Sequence, residues 1–562
     1  MCGITGFINN ISSVSNEHKM NHLMNMVNSI TYRGPDDFGT YNDNNTYLGH
    51  RRLSIIDTSQ NGKQPMISQS GKFVISYNGE IYNFNELKNK YLKNFNFIST
   101  TDTEVLLELI ELIGLEKTLK EINGFFSFAL YETFTKKLYL VRDRIGIKPL
   151  FYSTTDKLFM FGSELKTIMS NPLFIKKLDN ESINSYFSFG YVPQPNSIFQ
   201  NVFKVYPGQL IEINTTNLNI KKNYYWKLKD KISLNKNYNF NELSEEIDNL
   251  ITDSVRMRMV SDVPIGCFLS GGIDSSLVAL KMQELSSKKI DTFSVGFTYS
   301  GFNEAFVARK VASLLQTNHH EIYFDSNNVR DIVPKMADVY DEPFGDSSQL
   351  PTYLLSKFTK ENVTVSLSGD GGDELFCGYD RYFVYALFNK YKFRHLFTKI
   401  PFHLFKSLRF ILPLDKYEIL NRKINKLSNL LKSKNSVDAY RTLVSQFKIN
   451  TIVLNETKFK DSVWDKNSLD NLSSCQYIDQ LTYLPDDILT KVDRASMANS
   501  LEVRVPLLDY RLIEKSWQIP EHNKKSQNLS KIFLRNILFK KLPKELFNRN
   551  KMGFGVPIGI FL

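Results

Sequence analysis

Apolar and polar positions along the chain follow two different rhythms. Up to about residue 215 the apolar residues come in short runs broken by Gly, Asn and Asp, the pattern of strands and turns. Phe73-Val74-Ile75-Ser76-Tyr77 is one such run, and Asn78-Gly79 after it predicts a hairpin turn. Phe125 to Tyr131 and Lys137 to Arg142 predict two more strands, while Asp102 to Glu111 carries apolar residues at helical spacing. From Phe240 the rhythm changes. A helical pattern leads to an apolar strand, Ile265 to Leu269, then Ser270-Gly271-Gly272 and another helix. Thr292 to Phe297 and Val363 to Leu367 are further apolar strands, each followed by a Gly-containing loop and helical pattern. Strands that alternate with helices predict a parallel sheet in an α/β domain. Beyond about 415 the pattern is mostly helical, and no repeat of fixed period occurs.

These rhythms divide the chain into a first unit at 1–218, an Asn- and Lys-rich linker at 219–239, and a second unit at 240–562. A length of 562 residues suits two large domains. With 42% hydrophobic and 23% charged residues, disorder, collagen and coiled coil are excluded for the whole. No run approaches the ~20 uncharged apolar residues that span a bilayer, and the N-terminus lacks the form of a signal peptide. Cys2, Cys267, Cys377 and Cys475 form no C-x-x-C pair, which argues for a cytoplasmic chain without zinc or disulfides. The formal net charge of +11 changes little. Its densest basic–aromatic stretch, Tyr382 to Phe410, reads as two solvated helices divided by Pro401, so neither nucleic acid nor membrane is expected as a partner.

Candidate chemistry begins at Cys2. Removal of Met1 would leave a free α-amino group on the residue that carries the thiol. Such an amine, with a pKa of about 8, can serve as general base for its own side chain. Four polar blocks follow: Thr31 to Asp36, His50 to Asp57, Tyr77 to Asn83, and Thr101 to Glu104. Together with Cys2 they resemble class II glutamine amidotransferase domains, the N-terminal-nucleophile type. The resemblance implies an αββα four-layer sandwich that hydrolyses glutamine to glutamate and ammonia. It implies that Cys2 attacks the amide and that Asn78 and Gly79 form the oxyanion hole. Arg52 would hold the glutamine carboxylate as a fork, and Asp102, with Glu80 nearby, its α-ammonium.

In the second unit, Ser270-Gly271-Gly272-Ile273-Asp274-Ser275-Ser276 sits between strand and helix. Small residues and a helix N-terminus suit an anion. The hydroxyls of Ser270, Ser275 and Ser276 add donors, and Asp274 offers a Mg²⁺ ligand. The sequence is not G-x-x-x-x-G-K-[ST], which disfavours a Walker-type loop. Leu367-Ser368-Gly369-Asp370-Gly371-Gly372-Asp373-Glu374 repeats the design. The pair resembles PP-loop ATP pyrophosphatases, specifically the synthetase domain of the asparagine synthetase B family. Asp262 to Gly266, Leu484 to Arg494 and Glu502 to Asp509 match that family too. By this resemblance Leu269 and Val295 contact adenine, and Ser368 and Gly369 flank the nucleotide. Asp274 and Asp373 carry Mg²⁺, Asp370 aids formation of the acyl-adenylate, and Lys531 contacts phosphates.

The resemblance implies an ATP-dependent ligase with glutamine as nitrogen donor and ATP and Mg²⁺ as cofactors. Its partners are small molecules, with a homodimer left open. Aspartate is the first acceptor to consider. A second is another carboxylate, such as a uronic acid, and a third reading is a non-catalytic or glutaminase-only relative. The acceptor segment is Asp341 to Thr352, with Lys491 or Arg504 offering a cation for a second carboxylate. The chain stops at Leu562, where family members continue for tens of residues. His319-His320 lacks the spacing and the carboxylates of a metal site, so packing is the expected role.

Overall fold

The structure is a computed structural model and describes residues 2–233, 239–298, 305–390, 424–433, 435–446, 472–526 and 529–548. The second of the two helices expected around Pro401, and the end of the chain from 549 to 562, lie outside the described residues.

Residues up to 224 build two antiparallel six-stranded sheets. The first runs in the order Val202–Lys204, Phe151–Thr154, Leu158–Gly162, Gly3–Asn9, Thr46–Arg52, Asp37–Asp43. The second runs Ile220–Tyr224, Gln209–Asn214, Lys137–Arg142, Gly124–Glu132, Phe73–Ile81, Met66–Ile67. Because successive side chains point to opposite faces, Ile4, Ile8 and Leu48 of one sheet meet Val74, Ala129 and Leu140 of the other. The alternate residues point outward into helices. Phe7 and Tyr47 meet Leu23, Met26 and Val27 of helix Asn16–Asn28. Ile75, Tyr77 and Phe128 meet Leu106, Leu109 and Ile110 of helix Asp102–Ile113. The result is the αββα sandwich.

Two sequence expectations fail here for identifiable reasons. Asn78-Gly79 is not a turn, because Asn78, Gly79 and Glu80 pair with Ser127, Phe126 and Phe125 and carry the strand on to Ile81. A Cβ on residue 79 would fall 2.2 Å from the Phe125 carbonyl oxygen, so glycine serves close approach of two strands. Residues 220–224, expected in the linker, are instead a strand paired with Gln209–Asn214. As an outer strand it keeps its Lys and Asn residues exposed, which hides the apolar signal. The connection then straps onto the second unit. Trp226 and Leu228 are buried in its core, and Trp226 Nε1 donates to Glu514 Oε1 at 2.9 Å.

The second unit holds a parallel sheet in the order Asn318–Phe324, Asp291–Phe297, Ile265–Phe268, Val365–Leu367, Glu502–Arg504. The chain winds outward from Ile265–Phe268 first to one side and then to the other. The two central strands therefore flank a switch point, where open parallel sheets bind ligands. His319 and His320 lie on an edge strand, bonded to Thr292 and Asp291. Among the described residues no group of three His, Cys, Asp or Glu could hold a metal. No described helix is long and apolar enough to cross a membrane.

A buried ionic cluster joins the units. Arg33 forks onto Asp493 at 2.8 and 3.0 Å and reaches Glu164 at 2.7 Å. Lys148 lies 3.3 Å from Asp493, and Arg494 lies 2.8 Å from Glu164. Burial would raise the Glu164 carboxyl, but Arg494, Lys166 and Arg33 hold it down at about 2. Its share of stability is therefore present above the unfolded value of about 4.3 and is lost as pH falls toward 2. Asp493→Ala leaves Arg33 and Lys148 buried without this partner. It is expected to cost about 3–5 kcal/mol, seen as a lower urea midpoint; an unchanged midpoint would contradict the interface.

Candidate functional site

The first pocket forms where strand ends and a helix start converge. Cys2 precedes the strand Gly3–Asn9, Arg52 ends the strand Thr46–Arg52, and Gly79 and Glu80 lie within Phe73–Ile81. Thr101 caps the helix Asp102–Ile113 by accepting from the Glu104 N–H at 3.2 Å. That cap fixes Asp102 in the first turn, facing the pocket. Cys2, Arg52, Gly79, Glu80 and Asp102 all line this space. Asn78 stands behind Cys2, its Oδ1 accepting from the Cys2 N–H at 3.0 Å. Its Nδ2 is buried with no hydrogen-bond partner, the arrangement a donor to an oxyanion requires. Burial raises the Cys2 thiol above its ordinary value, so it needs a base to become a thiolate.

Three carboxyls crowd the opposite wall. Burial pushes Asp102 up to about 6, against hydrogen bonds from the Ile81 N–H and the Tyr77 hydroxyl. Burial and the neighbouring Asp102 raise Glu80 further. Glu502, despite its burial, is held down at about 2 with Arg504 Nε 2.6 Å away. Glu502 belongs to the second unit, and sequence reasoning gave it no role in this pocket. Its motif was visible, but nothing local shows which domain a three-residue edge strand faces. Arg504 is likewise displaced from expectation. The sequence offers it to the acceptor, yet it is fully buried against Glu502 and 3.6 Å from Glu80. Arg52 is tethered at one edge, donating to the carbonyls of Ser59, at 2.6 Å, and Asp57. These bonds use two of its five N–H donors and fix the guanidinium within the pocket.

The second site is a cavity of about 610 Å³ beyond the ends of the central strands. That volume suits a nucleotide-sized ligand. Gly271 turns the first loop with φ +73, and a Cβ there would meet the Ala308 nitrogen at 2.8 Å. Ser270 Oγ and Ser275 Oγ lie 3.0 Å apart and tie the loop to the helix Ile273–Leu285. Gly272 caps that helix without a side-chain bond, and the helix N-terminus borders the cavity, a polarity that suits an anion. Leu269, Ser270, Gly271, Gly272, Asp274, Ser275 and Val295 line the cavity. So do Ser368, Gly369, Asp370, Asp373 and Lys531 from the later segments. Ser276 does not. One residue further round the helix from Ser275, it is fully buried and lies off the cavity lining expected of it.

Lys531 Nζ bridges Asp274 and Asp373, 2.7 Å from the latter. Burial would lower its pKa, but these two carboxylates keep its ammonium charged. The pair thus converges on one positive charge, which fits a divalent cation completed by phosphate oxygens. Asp370 Oδ2 accepts from Ser368 Oγ at 2.7 Å. Lys491, the other cation the sequence offers to the acceptor, does line the cavity and lies 3.5 Å from Asp346 Oδ2.

Residues 1–226 match the family model described as glutamine amidotransferase domain, and residues 246–560 match that of asparagine synthase. The chain belongs to the asparagine synthase family. Glutamine-hydrolyzing asparagine synthetase 1 of Bacillus subtilis strain 168 is 34% identical across 99% of this chain and 87% of its own length. Glutamine-hydrolyzing asparagine synthetase 2 of the same organism is 32% identical across 99% of this chain and 72% of its own. The cysteine-led pocket is lined mainly by residues within the first match, and the loop-lined cavity by residues within the second.

Proposed function

We propose that this chain makes asparagine from aspartate, with glutamine as nitrogen donor and ATP as activator. The observation that carries this reading is the presence, in one asparagine synthase family chain, of a Cys2 pocket with an unpartnered Asn78 donor and a separate PP-loop cavity. With Met1 removed, the Cys2 α-amine takes the thiol proton and the sulfur attacks the glutamine amide carbon. The Asn78 side-chain amide and the Gly79 N–H receive the oxyanion; a donor of that kind is worth about 3–4 kcal/mol. Ammonia leaves, and water releases glutamate from the thioester. Arg52 meets the glutamine carboxylate, while Asp102 and Glu80 serve its ammonium.

In the cavity the aspartate side-chain carboxylate attacks the α-phosphorus of ATP and pyrophosphate departs. Ammonia then attacks the acyl carbon, AMP leaves and one proton is lost. Asp370, on the cavity lining, would aid formation of the acyl-adenylate. Asp274 and Asp373 would hold Mg²⁺, which neutralises charge on the pyrophosphate. Ammonia released directly into water at pH 7 is mostly NH₄⁺ and has no lone pair to offer. Coupling both reactions within one chain avoids that loss. The reaction partners are small molecules, which suits a cytoplasmic enzyme and involves neither nucleic acid nor membrane; a homodimer is compatible with it.

Acceptor-dependent pyrophosphate release on a panel of carboxylates tests the reading. Aspartate is expected to elicit release and a uronic acid is not. The reverse result would move the chain to another acceptor, and no release with any acceptor would leave only a glutaminase.

A further inference from the structure

The acceptor segment Asp341 to Thr352 is held in place by the glutamine-hydrolysing unit. Asp341 Oδ2 accepts from the Lys166 N–H at 3.0 Å, and the Gly345 N–H donates to the Gly190 carbonyl at 2.7 Å. Glu342 Oε1 lies 2.9 Å from Lys204 Nζ, and its Oε2 accepts from the Ile198 N–H at 3.2 Å. The same stretch of the first unit grips a second element. Asp486 lies 3.5 Å from Lys204 Nζ and accepts from the Gln194 N–H at 2.8 Å. Lys204 Nζ also donates to the Val192 carbonyl at 2.5 Å, so its buried ammonium meets three oxygen partners.

Both gripped elements run on into the ATP cavity. Asp346 and Ser348 line it from one, Ile488 and Lys491 from the other, and Asp346 and Lys491 pair across the gap. Lys204 itself lines neither the ATP cavity nor the Cys2 pocket. Burial raises the carboxyls of both Glu342 and Asp486, and Lys204 works against that rise in each. Without its ammonium, two buried acids keep only the Ile198 and Gln194 N–H groups among the partners named above and lose the cation they share, so the two elements lose the one side chain that ties them together.

We propose that Lys204, a residue of the glutamine-hydrolysing unit, is a positioning residue for the acceptor: it sets the spacing of the Asp341–Thr352 loop against the Asp486–Lys491 turn. The inference rests on aspartate being the acceptor. It makes the first unit part of the acceptor site even when no glutamine is used.

The test uses the full chain with ammonium chloride as nitrogen source, so the Cys2 pocket is idle. Lys204→Met is expected to raise the aspartate KM at least tenfold. The ATP KM and the rate of glutamine hydrolysis, measured separately, stay within twofold. Lys204→Arg is expected to return the aspartate KM to within threefold of the parent. An aspartate KM within twofold of the parent in Lys204→Met, or aspartate and ATP KM values that rise together, would overturn the proposal. Where Lys204→Met does not accumulate as soluble protein, Glu342→Gln replaces it. That variant keeps the Lys204–Asp486 pair and should still raise the aspartate KM several-fold; no rise overturns the proposal. A parent chain that releases no pyrophosphate with aspartate overturns the acceptor assignment instead, and the same KM ratio is then read with the acceptor that is active.

Discussion

Cys2→Ala is expected to abolish glutamine-dependent asparagine formation and to leave ammonia-dependent formation close to that of the parent. Loss of a covalent nucleophile removes the thioester route altogether, and comparable knockouts cost at least about 10³-fold in rate. The selectivity follows from the separation of the pockets. Cys2 lines its pocket with Arg52 and Asp102, whereas none of these lines the larger cavity at Ser270. Alanine at position 2 also keeps the main-chain nitrogen that donates to Asn78 Oδ1, so the pocket retains its shape. Retaining Met1 should have the same effect, because the α-amine would be locked in a peptide bond. Two assays on one preparation check this, one supplied with glutamine and one with ammonium chloride. Equal loss of both activities would contradict it.

Asp274→Asn and Asp373→Asn are each expected to lower ATP–pyrophosphate exchange about 10²-fold or more, as befits loss of a charged contact to the reacting phosphates. Glutamine hydrolysis should be spared. Both carboxylates converge on Lys531, and either substitution leaves Lys531 one acidic partner, so the loops should keep their places. The Mg²⁺ concentration for half-maximal exchange should rise in both variants. Exchange unchanged in both would remove these residues from the metal and phosphate site.

Much of this was visible in the sequence, for local reasons. The apolar runs at Ile265 to Leu269 and Thr292 to Phe297 announce parallel strands because both faces of such a sheet are covered. The Ser270 and Ser368 loops follow such strands directly, so their chemistry could be placed without tertiary information. Cys2 was nameable because it directly follows Met1, and Asn78 and Asp102 because the blocks Tyr77 to Asn83 and Thr101 to Glu104 resemble those of class II glutamine amidotransferase domains.

What stayed hidden was set by neighbours distant in sequence. Asn78-Gly79 has the composition of a turn, but a paired strand beside it overrides that preference. Ile220–Tyr224 carries no alternation because an outer strand need bury little. Ser276 differs from Ser275 by one step of helix rotation, enough to turn a hydroxyl from cavity to core. Glu502 enters the Cys2 pocket, and Lys204 reaches Glu342 and Asp486, only because two domains close on each other. No spacing within either domain encodes those contacts.

In the proposed reaction one chain takes nitrogen from glutamine at Cys2 and delivers it to an activated carboxylate in the PP-loop cavity. Glutamine labelled with ¹⁵N in its side-chain amide, supplied with aspartate, ATP and unlabelled ammonium, tests it most directly. The expected product is asparagine carrying mostly ¹⁵N in its side-chain amide, with one AMP and one pyrophosphate formed per asparagine. Glutamate and pyrophosphate appearing without labelled asparagine would contradict it.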